Sequence, residues 1–247
     1  MRVLFIQHDH VSPYGPVGER FIELGHEVHT FRVVPEEKFT TPNVHVEFPQ
    51  VGDFDIVVPM GAPWGAWDDE NVGNWLLPEL AYLKACHNSG TPVLGLCFGG
   101  QLMARALGGS VGRAPSHEIG YSYIYSDDES LIPHGPWFQW HYDRFVVPPL
   151  ATEIARNSRA SQAFVQGRTL GVQFHPELVS DMLTLWLAEG GSAEVVKDGQ
   201  DPTILLEHAR REDPESRRRA AALVDVFMQR IVPADVIPSP DAATSAV

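Results

Sequence analysis

Gly95-Leu96-Cys97-Phe98-Gly99-Gly100-Gln101 places a cysteine between the apolar run Pro92-Val93-Leu94 and the helical pattern Leu102-Met103-Ala104-Arg105-Ala106-Leu107. This order predicts a strand, a sharp turn and a helix, with Cys97 at the apex of the turn. Small residues flank the turn because its backbone is tight, and bulk there would clash with the next helix. The helix dipole and the free N–H groups at a helix N-terminus stabilise a thiolate. The segment therefore predicts an α/β fold that presents a nucleophilic cysteine.

A histidine and a glutamate follow a second apolar segment further along the chain. Residues 170–174 predict a buried strand, and His175-Pro176-Glu177 comes directly after it. Pro176 ends the strand because it has no N–H to donate to a neighbour. A histidine at a strand end can reach a nucleophile on a neighbouring strand, and a carboxylate just beyond it can orient the imidazole. Cys97, His175 and Glu177 are therefore predicted to act as nucleophile, base and orienting carboxylate.

Strands and helices alternate along the first half of the chain, which predicts a mainly parallel sheet covered by helices on both faces. The predicted strands there cover residues 3–7, 27–33, 44–48, 54–60 and 93–96, and the predicted helices cover residues 14–24 and 74–88. Short strands after Gly108-Gly109 predict antiparallel additions to the sheet edge, at residues 119–125, 144–147, 152–156, 163–166 and 170–174. The remaining predicted helices cover residues 179–188, 202–211 and 214–231.

Length and charge exclude several classes of protein. At 247 residues the chain is long enough for one large domain with a substantial core. Its net charge of −14 argues against nucleic acid as a partner, because phosphate binding needs clustered Lys and Arg. The apolar runs are shorter than the ~18 residues of a membrane span, and residues 1–10 do not resemble a signal peptide. A predicted thiolate needs a reducing compartment, so we expect a cytoplasmic protein that does not bind membranes.

The two motifs together resemble those of a known family. Residues 95–101 resemble the nucleophile motif G-x-C-x-G-x-Q of class I (triad-type) glutamine amidotransferases, and Phe174-His175-Pro176-Glu177 resembles their second motif. The resemblance covers residues 1–190 and is to a stand-alone, GMP-synthase-like glutaminase domain. It implies an α/β three-layer sandwich with a flavodoxin-like, mainly parallel sheet and antiparallel edge additions. Residues 191–231 are then a C-terminal helical extension, and residues 232–247 are predicted to be a disordered tail.

The resemblance also implies a chemistry. Cys97 attacks the glutamine amide, His175 acts as base and then acid, and Glu177 orients it. The oxyanion would be held by the backbone N–H groups of Phe98 and of Ala62, which lies in Gly61-Ala62-Pro63, where the family typically has G-G-P. Alanine at this place departs from the family pattern, because a positive φ costs alanine more than glycine. The hole is therefore expected to be formed differently, or to form only on activation.

Other residues match the substrate side of the family pattern. Gln101 lies one helical turn after Cys97, and in the family this glutamine helps to bind substrate. Gly61 belongs to the same site, and Glu118-Ile119-Gly120 resembles the family segment E-[aliphatic]-G. Trp140, His141 and Tyr142 take the place of a family loop that contains H-x-D and binds the amino-acid end of the substrate. Trp140 and Tyr142 are bulkier than is usual there, so the resemblance supports the thioester chemistry better than it supports glutamine as the substrate.

Three functions remain open from the sequence. The first is hydrolysis of L-glutamine, with ammonia passed to a separate synthetase subunit, because the chain has no P-loop of its own. The second is cysteine-dependent hydrolysis of another γ-glutamyl amide, and the third is a catalytically quiet regulatory subunit. No cofactor or metal site is predicted, since His8, Asp9 and His10 lack a further Cys/His cluster to complete one. Whether the chain forms a homo-oligomer is also left open.

Overall fold

The computed structural model describes residues 1–232, which form a central sheet, helices on both of its faces and a separate two-stranded antiparallel sheet. The strands are β1 (Arg2–Gln7), β2 (Glu27–Arg32), β3 (Ile56–Pro59), β4 (Val93–Leu96), β5 (Ser110–Ser122), β6 (Tyr125–Ser126), β7 (Trp137–Val146), β8 (Thr152–Arg156), β9 (Ser161–Gln166) and β10 (Thr169–Val172). The helices are α1 (Gly15–Glu23), α2 (Asp69–Asn88), α3 (Phe98–Ala106), α4 (Ser180–Trp186), α5 (Ser192–Lys197) and α6 (Pro202–Arg230). The predicted tail lies outside the described residues, apart from Val232, which is buried.

Within residues 1–232 the central sheet has eight strands in the order β2-β1-β3-β4-β10-β9-β8-β6. The first five are parallel, in the arrangement of flavodoxin-like folds, and the last three are antiparallel additions. The predicted fold class is therefore confirmed. One part of the prediction is wrong: the strand that precedes His175 is not an antiparallel edge addition, because β10 pairs in parallel with β4 in the middle of the sheet.

Helices pack on both faces of the sheet, and each face has its own apolar core. Along β1, Val3 and Phe5 face α1 and α6, whereas Leu4 and Ile6 face α2 and α3. This alternation is the period of two expected for a strand buried on both sides. The chain is thus a three-layer sandwich, as predicted.

The C-terminal helix differs from its prediction. Two helices separated near Pro214 were expected, because proline removes a backbone donor and costs about 3 kcal/mol inside a helix. The structure has one continuous helix, α6, with Pro214 inside it. Its first half packs Leu205 and Ala209 against the core beneath the two-stranded β5–β7 sheet, and its second half packs Leu223 and Phe227 against the central sheet. Burial of each apolar side chain contributes about 1.5–3 kcal/mol, and together these contributions outweigh the cost of proline inside the helix.

Two strand predictions are also corrected. Residues 44–48 form no strand, although Val44, Val46 and Phe48 do pack on the core at the α2 face, so the alternating pattern reflects one-sided packing without a neighbouring strand. Residues 119–125 and 144–147 were expected at the sheet edge. Residues 119–122 and 144–146 belong instead to β5 and β7, which pair only with each other in a separate two-stranded sheet, whereas Tyr125 does lie at the sheet edge, in β6. No helix within residues 1–232 is both long and apolar enough to cross a membrane.

Candidate active site

The turn between β4 and α3 holds Cys97 in a strained conformation. Its φ is 48° and its ψ is −101°, and it is the only non-glycine residue of the described chain with a positive φ. Such a conformation costs about 1–3 kcal/mol and persists only where the surroundings enforce it. Here the Cys97 N–H donates to Val172 O of β10 at 2.9 Å, and the Gly99 N–H donates to Met60 O at 2.9 Å. A side chain at Gly99 would lie 2.0 Å from Pro59 O, so only glycine fits.

His175 and Glu177 follow the neighbouring strand β10 and lie in direct contact. His175 Nδ1 is 2.8 Å from Glu177 Oε1, and both residues are buried. The His175 N–H donates to Phe138 O of β7 at 2.8 Å, which fixes the residue from the backbone side. An ionised carboxylate only accepts hydrogen bonds, so Glu177 holds the proton on Nδ1 and leaves Nε2 for chemistry.

Cys97 also influences the pKa of the His175 ring. Burial disfavours the charged ring, but the negative charges of Cys97 and Glu177 outweigh it and raise the pKa of His175 well above 6.5. His175 Nε2 has no hydrogen-bond partner within residues 1–232. The arrangement therefore favours a positively charged His175 ring beside Cys97.

A further side chain, Gln173, contacts the sulfur. Its Nε2 donates to Cys97 Sγ at 3.6 Å, and Gln173 is fully buried. Its Oε1 accepts from Gln101 Nε2 at 3.3 Å, and the same Gln101 nitrogen is 3.3 Å from Asp143 O. Gln101 thus lies at the pocket, one helical turn after Cys97, and its hydrogen bond to Gln173 Oε1 helps to fix the Gln173 side chain.

The loop after β3 carries Gly61 and Ala62 into the pocket wall. Ala62 does not have a positive φ, so alanine carries no backbone penalty here and the concern raised by the sequence does not apply. Neither the Ala62 N–H nor the Phe98 N–H donates to another residue in the described part of the chain. Two unpaired backbone donors therefore lie near Cys97.

Trp140, His141 and Tyr142 lie in strand β7, which corrects the expected loop. His141 is buried: its Nδ1 is 2.9 Å from Asp143 O and its Nε2 is 3.2 Å from Glu118 Oε2. His141 therefore belongs to a polar network beneath the pocket, although it also touches the pocket lining. The side chains of Trp140 and Tyr142 are half-buried and line the pocket.

The pocket is a cavity of about 550 Å³ with aromatic walls. Its volume falls within the range of small-molecule sites. Trp186 packs edge-on against the His175 ring at 5.0 Å and against Trp140 at 5.8 Å. Tyr142 Oη donates to Glu194 Oε2 at 2.7 Å. The segment from α4 to α5 therefore closes one side of the site.

Sequence reasoning missed Gln173 and Trp186. A signal existed for Gln173, because it is the polar residue of an otherwise apolar segment, residues 170–174. Trp186 carried no signal, because its place over His175 depends on how α4 docks. His8 and Asp9, considered as metal ligands, have other partners: His8 pairs with Glu79, and Asp9 accepts from the Val11 N–H and the Ser12 hydroxyl.

The fold and the pocket together define an α/β protein with a cysteine at a nucleophile elbow. The model of the family "Glutamine amidotransferase class-I" matches residues 70–184. One of the subunits of GMP synthase (glutamine-hydrolyzing) from Sulfurisphaera tokodaii is 33% identical over 149 residues, which are 56% of this chain and 74% of that protein. The chain belongs to the class I glutamine amidotransferase family.

Another sequence relative is much longer than this chain, and two solved structures share its fold. The GMP synthase (glutamine-hydrolyzing) of Aeropyrum pernix is 32% identical over 62% of this chain, but the match spans only 30% of that protein. A glutamine amidotransferase structure from Thermotoga maritima has a TM-score of 0.78 and 28% identity, over 93% of this chain and 98% of that one. One from Methylobacillus flagellatus has a TM-score of 0.79 and 25% identity, over 92% and 94%. The structural neighbours therefore match nearly the whole described chain.

Proposed function

We propose that this chain hydrolyses the side-chain amide of L-glutamine to glutamate and ammonia through a cysteinyl thioester. The observation that carries the proposal is the convergence of Cys97, His175 and Glu177 at adjacent parallel strand ends, with Glu177 fixing the proton on Nδ1 of His175. Membership of the amidotransferase family supports glutamine as the substrate.

The steps follow from the positions of these groups. The Cys97 thiolate attacks the amide carbon, and the carbonyl oxygen becomes an oxyanion. His175 gives its Nε2 proton to the leaving nitrogen, so that ammonia departs and a γ-glutamyl thioester remains. Neutral His175 then takes a proton from water, which attacks the thioester and releases glutamate. The thiolate and the imidazolium are restored, and Glu177 stabilises the imidazolium in both half-reactions.

The backbone N–H groups of Phe98 and Ala62 are proposed to bind the oxyanion. Donors aimed at a developing charge in a water-poor site supply the largest single part of such catalysis, and loss of one costs about 10²–10³ in kcat. Gln101, Gly61, Trp140, His141 and Tyr142 are proposed to shape the substrate pocket; all of them line it.

The acceptor of the ammonia is proposed to lie on a separate partner. The Sulfurisphaera tokodaii relative is named as one subunit of a GMP synthase, which supports a division of the reaction between two chains. Both cysteines are free, in keeping with the reducing cytoplasm that we propose as the location.

The aromatic pocket supports a second candidate, hydrolysis of another γ-glutamyl amide. Trp140, Tyr142 and Trp186 offer apolar surface beyond what the polar glutamine side chain requires. The ratio of kcat/KM for glutamine to that for γ-glutamyl amides of larger amines separates the two candidates. A quiet regulatory subunit is the remaining alternative, and Cys97-dependent turnover of either substrate would refute it.

Mass spectrometry of the intact protein after incubation with the chloroketone analogue of glutamine tests the proposal. We expect one adduct on Cys97, absent in Cys97→Ala, retained in Cys86→Ala and suppressed by excess glutamine. Labelling that glutamine does not suppress would favour the other γ-glutamyl amides. An absence of labelling in the wild-type protein would contradict a formed glutamine site and favour the regulatory subunit.

A further inference from the structure

A buried ion pair outside the pocket holds the loop that carries Ala62. His8 follows β1 and Glu79 lies on α2, and both side chains are completely buried. His8 Nε2 is 3.0 Å from each carboxylate oxygen of Glu79, and His8 Nδ1 is 3.1 Å from Gly61 O. Phe98 and Trp75 pack on the ring at centroid distances of 4.8 and 5.6 Å. The ring therefore has two polar neighbours and apolar walls.

The neighbours of His8 decide its protonation. A carbonyl oxygen accepts hydrogen bonds and donates none, so His8 Nδ1, which lies against Gly61 O, must carry a proton. Burial alone would lower the pKa of His8, but Glu79 and the Gly61 carbonyl raise it above 6.5, with a smaller contribution from Asp9. His8 thus donates from Nδ1 to Gly61 O, and its neighbours favour the charged form of the ring.

That hydrogen bond fixes the orientation of one peptide group. In a trans peptide the C=O and the following N–H point in opposite directions, so a Gly61 carbonyl directed at His8 turns the Ala62 N–H away from it. Gly61 and Ala62 line the pocket and His8 does not, so the side opposite His8 is the pocket side. We propose that His8, held by Glu79, is a positioning residue that keeps the Ala62 N–H directed at the oxyanion.

The loop needs such an anchor. Gly61 has no side chain to limit its backbone, and a Cβ there would lie 2.9 Å from His175 Cε1, so a stiffer residue does not fit. A buried ion pair is poor evidence of a stabilising role, because apolar replacements of both partners are often neutral or stabilising. Orientation of the peptide gives this pair a function that apolar packing cannot replace.

The inference rests on the proposed thioester chemistry, and two reactions of Cys97 separate it from a general loss of the site. Hydrolysis of glutamine passes through an oxyanion, whereas alkylation by iodoacetamide occurs at a tetrahedral carbon and forms none. Replacing both partners, His8→Leu with Glu79→Leu, removes the anchor and leaves no buried charge. We expect kcat to fall by about 10–10², less than the loss of a whole donor, with KM and the alkylation rate of Cys97 within about twofold.

Two control variants complete the kinetic experiment. Glu79→Gln lets its amide donate to Nε2 of a neutral His8 whose Nδ1–H still reaches Gly61 O, so kcat should stay within about threefold of the wild type. Arg20→Gln with Asp225→Asn removes an ion pair between α1 and α6, away from the pocket, and should leave kcat unchanged. An unchanged kcat in the double leucine variant, or an equal fall in its alkylation rate, would overturn the proposal.

Two structural measurements test whether His8 anchors the Gly61–Ala62 peptide, and neither needs an activity assay. The side-chain ¹⁵N shifts of His8 in the wild-type protein at neutral pH should show a protonated Nδ1; an unprotonated Nδ1 would overturn the proposal even if the leucine variant does not fold. A crystal structure of the leucine variant should show the Gly61–Ala62 peptide rotated or in two orientations, and an unmoved carbonyl would refute the anchor. Absence of all wild-type turnover would refute the proposed function and leave these two measurements valid.

Discussion

Replacement of Glu177 by glutamine should reduce the reactivity of Cys97 without changing the shape of the site. The wild-type carboxylate accepts from His175 Nδ1 at 2.8 Å and is fully buried, and its second oxygen has no partner within residues 1–232. The amide of Glu177→Gln keeps an acceptor for Nδ1–H and loses the charge. The change therefore isolates the electrostatic part of the contact.

The size of the effect follows from the distance. Charges centred about 4 Å apart interact by about 4 kcal/mol at an effective dielectric constant of about 20. At about 1.4 kcal/mol per factor of ten, loss of that energy shifts the proton from the imidazolium of His175 to the thiolate of Cys97 by up to about 10³. We expect the alkylation rate of Cys97 by iodoacetamide at pH 7, and kcat/KM for glutamine, each to fall by about 10²–10³.

The assay is a time course of intact mass under excess iodoacetamide. Glu212→Gln is the matched control, because it removes a carboxylate that pairs with Arg219 outside the pocket and should leave the rate unchanged. A wild-type alkylation rate in Glu177→Gln would show that Glu177 does not stabilise the imidazolium. This pattern is the opposite of that expected for the His8 anchor, where turnover falls and alkylation does not.

Three further results are expected. Burial raises the pKa of Cys86 to about 11, so alkylation at pH 8 should modify Cys97 alone, and peptide mapping that finds modified Cys86 in folded protein would contradict this. Gly99→Ala should lower the free energy of unfolding in urea by about 1–3 kcal/mol, because its Cβ would meet Pro59 O. Gly112→Ala, whose Cβ meets nothing within 4 Å, should change it by less than about 0.5 kcal/mol. The pKa of His8 is raised on folding, so its contribution is complete below pH 6.5 and lost as the pH rises through the folded value. The stability advantage of the wild type over Glu79→Gln should therefore shrink above pH 6.5, by at most about 1.4 kcal/mol per pH unit, and an advantage that grows with pH would refute the charged pair.

The positions of Cys97 and His175 could be predicted because they depend on local rules. A strand–turn–helix pattern and a proline-terminated strand each place a side chain at the carboxyl edge of a parallel sheet, where neighbouring strand ends meet. Gln173 was within reach of the same reasoning, as a polar residue in a buried strand beside the elbow.

Other features depend on tertiary packing that no local pattern contains. The helix break expected at Pro214 is absent because both halves of α6 bury apolar side chains in different cores. Trp186 reaches His175 only through the docking of α4, and His8 meets Glu79 from a helix distant in the sequence. The strand conformation of residues 140–142 follows from pairing with β5, whose partner the sequence did not identify.

The strands that precede Cys97 and His175 are neighbours in the sheet, yet all of β5 to β9 lies between them in the chain. Cys97 follows β4, His175 follows β10, and these strands pair directly, whereas Trp140 and Tyr142 belong to β7, which pairs only with β5. The proposed nucleophile and base thus follow neighbouring strands of the central sheet, while Trp140 and Tyr142 in the pocket wall belong to the separate β5–β7 pair. Side chains of β5 and β7 that face the pocket can therefore change substrate selectivity, whereas the backbone of β7 at Phe138 is constrained because it also holds His175.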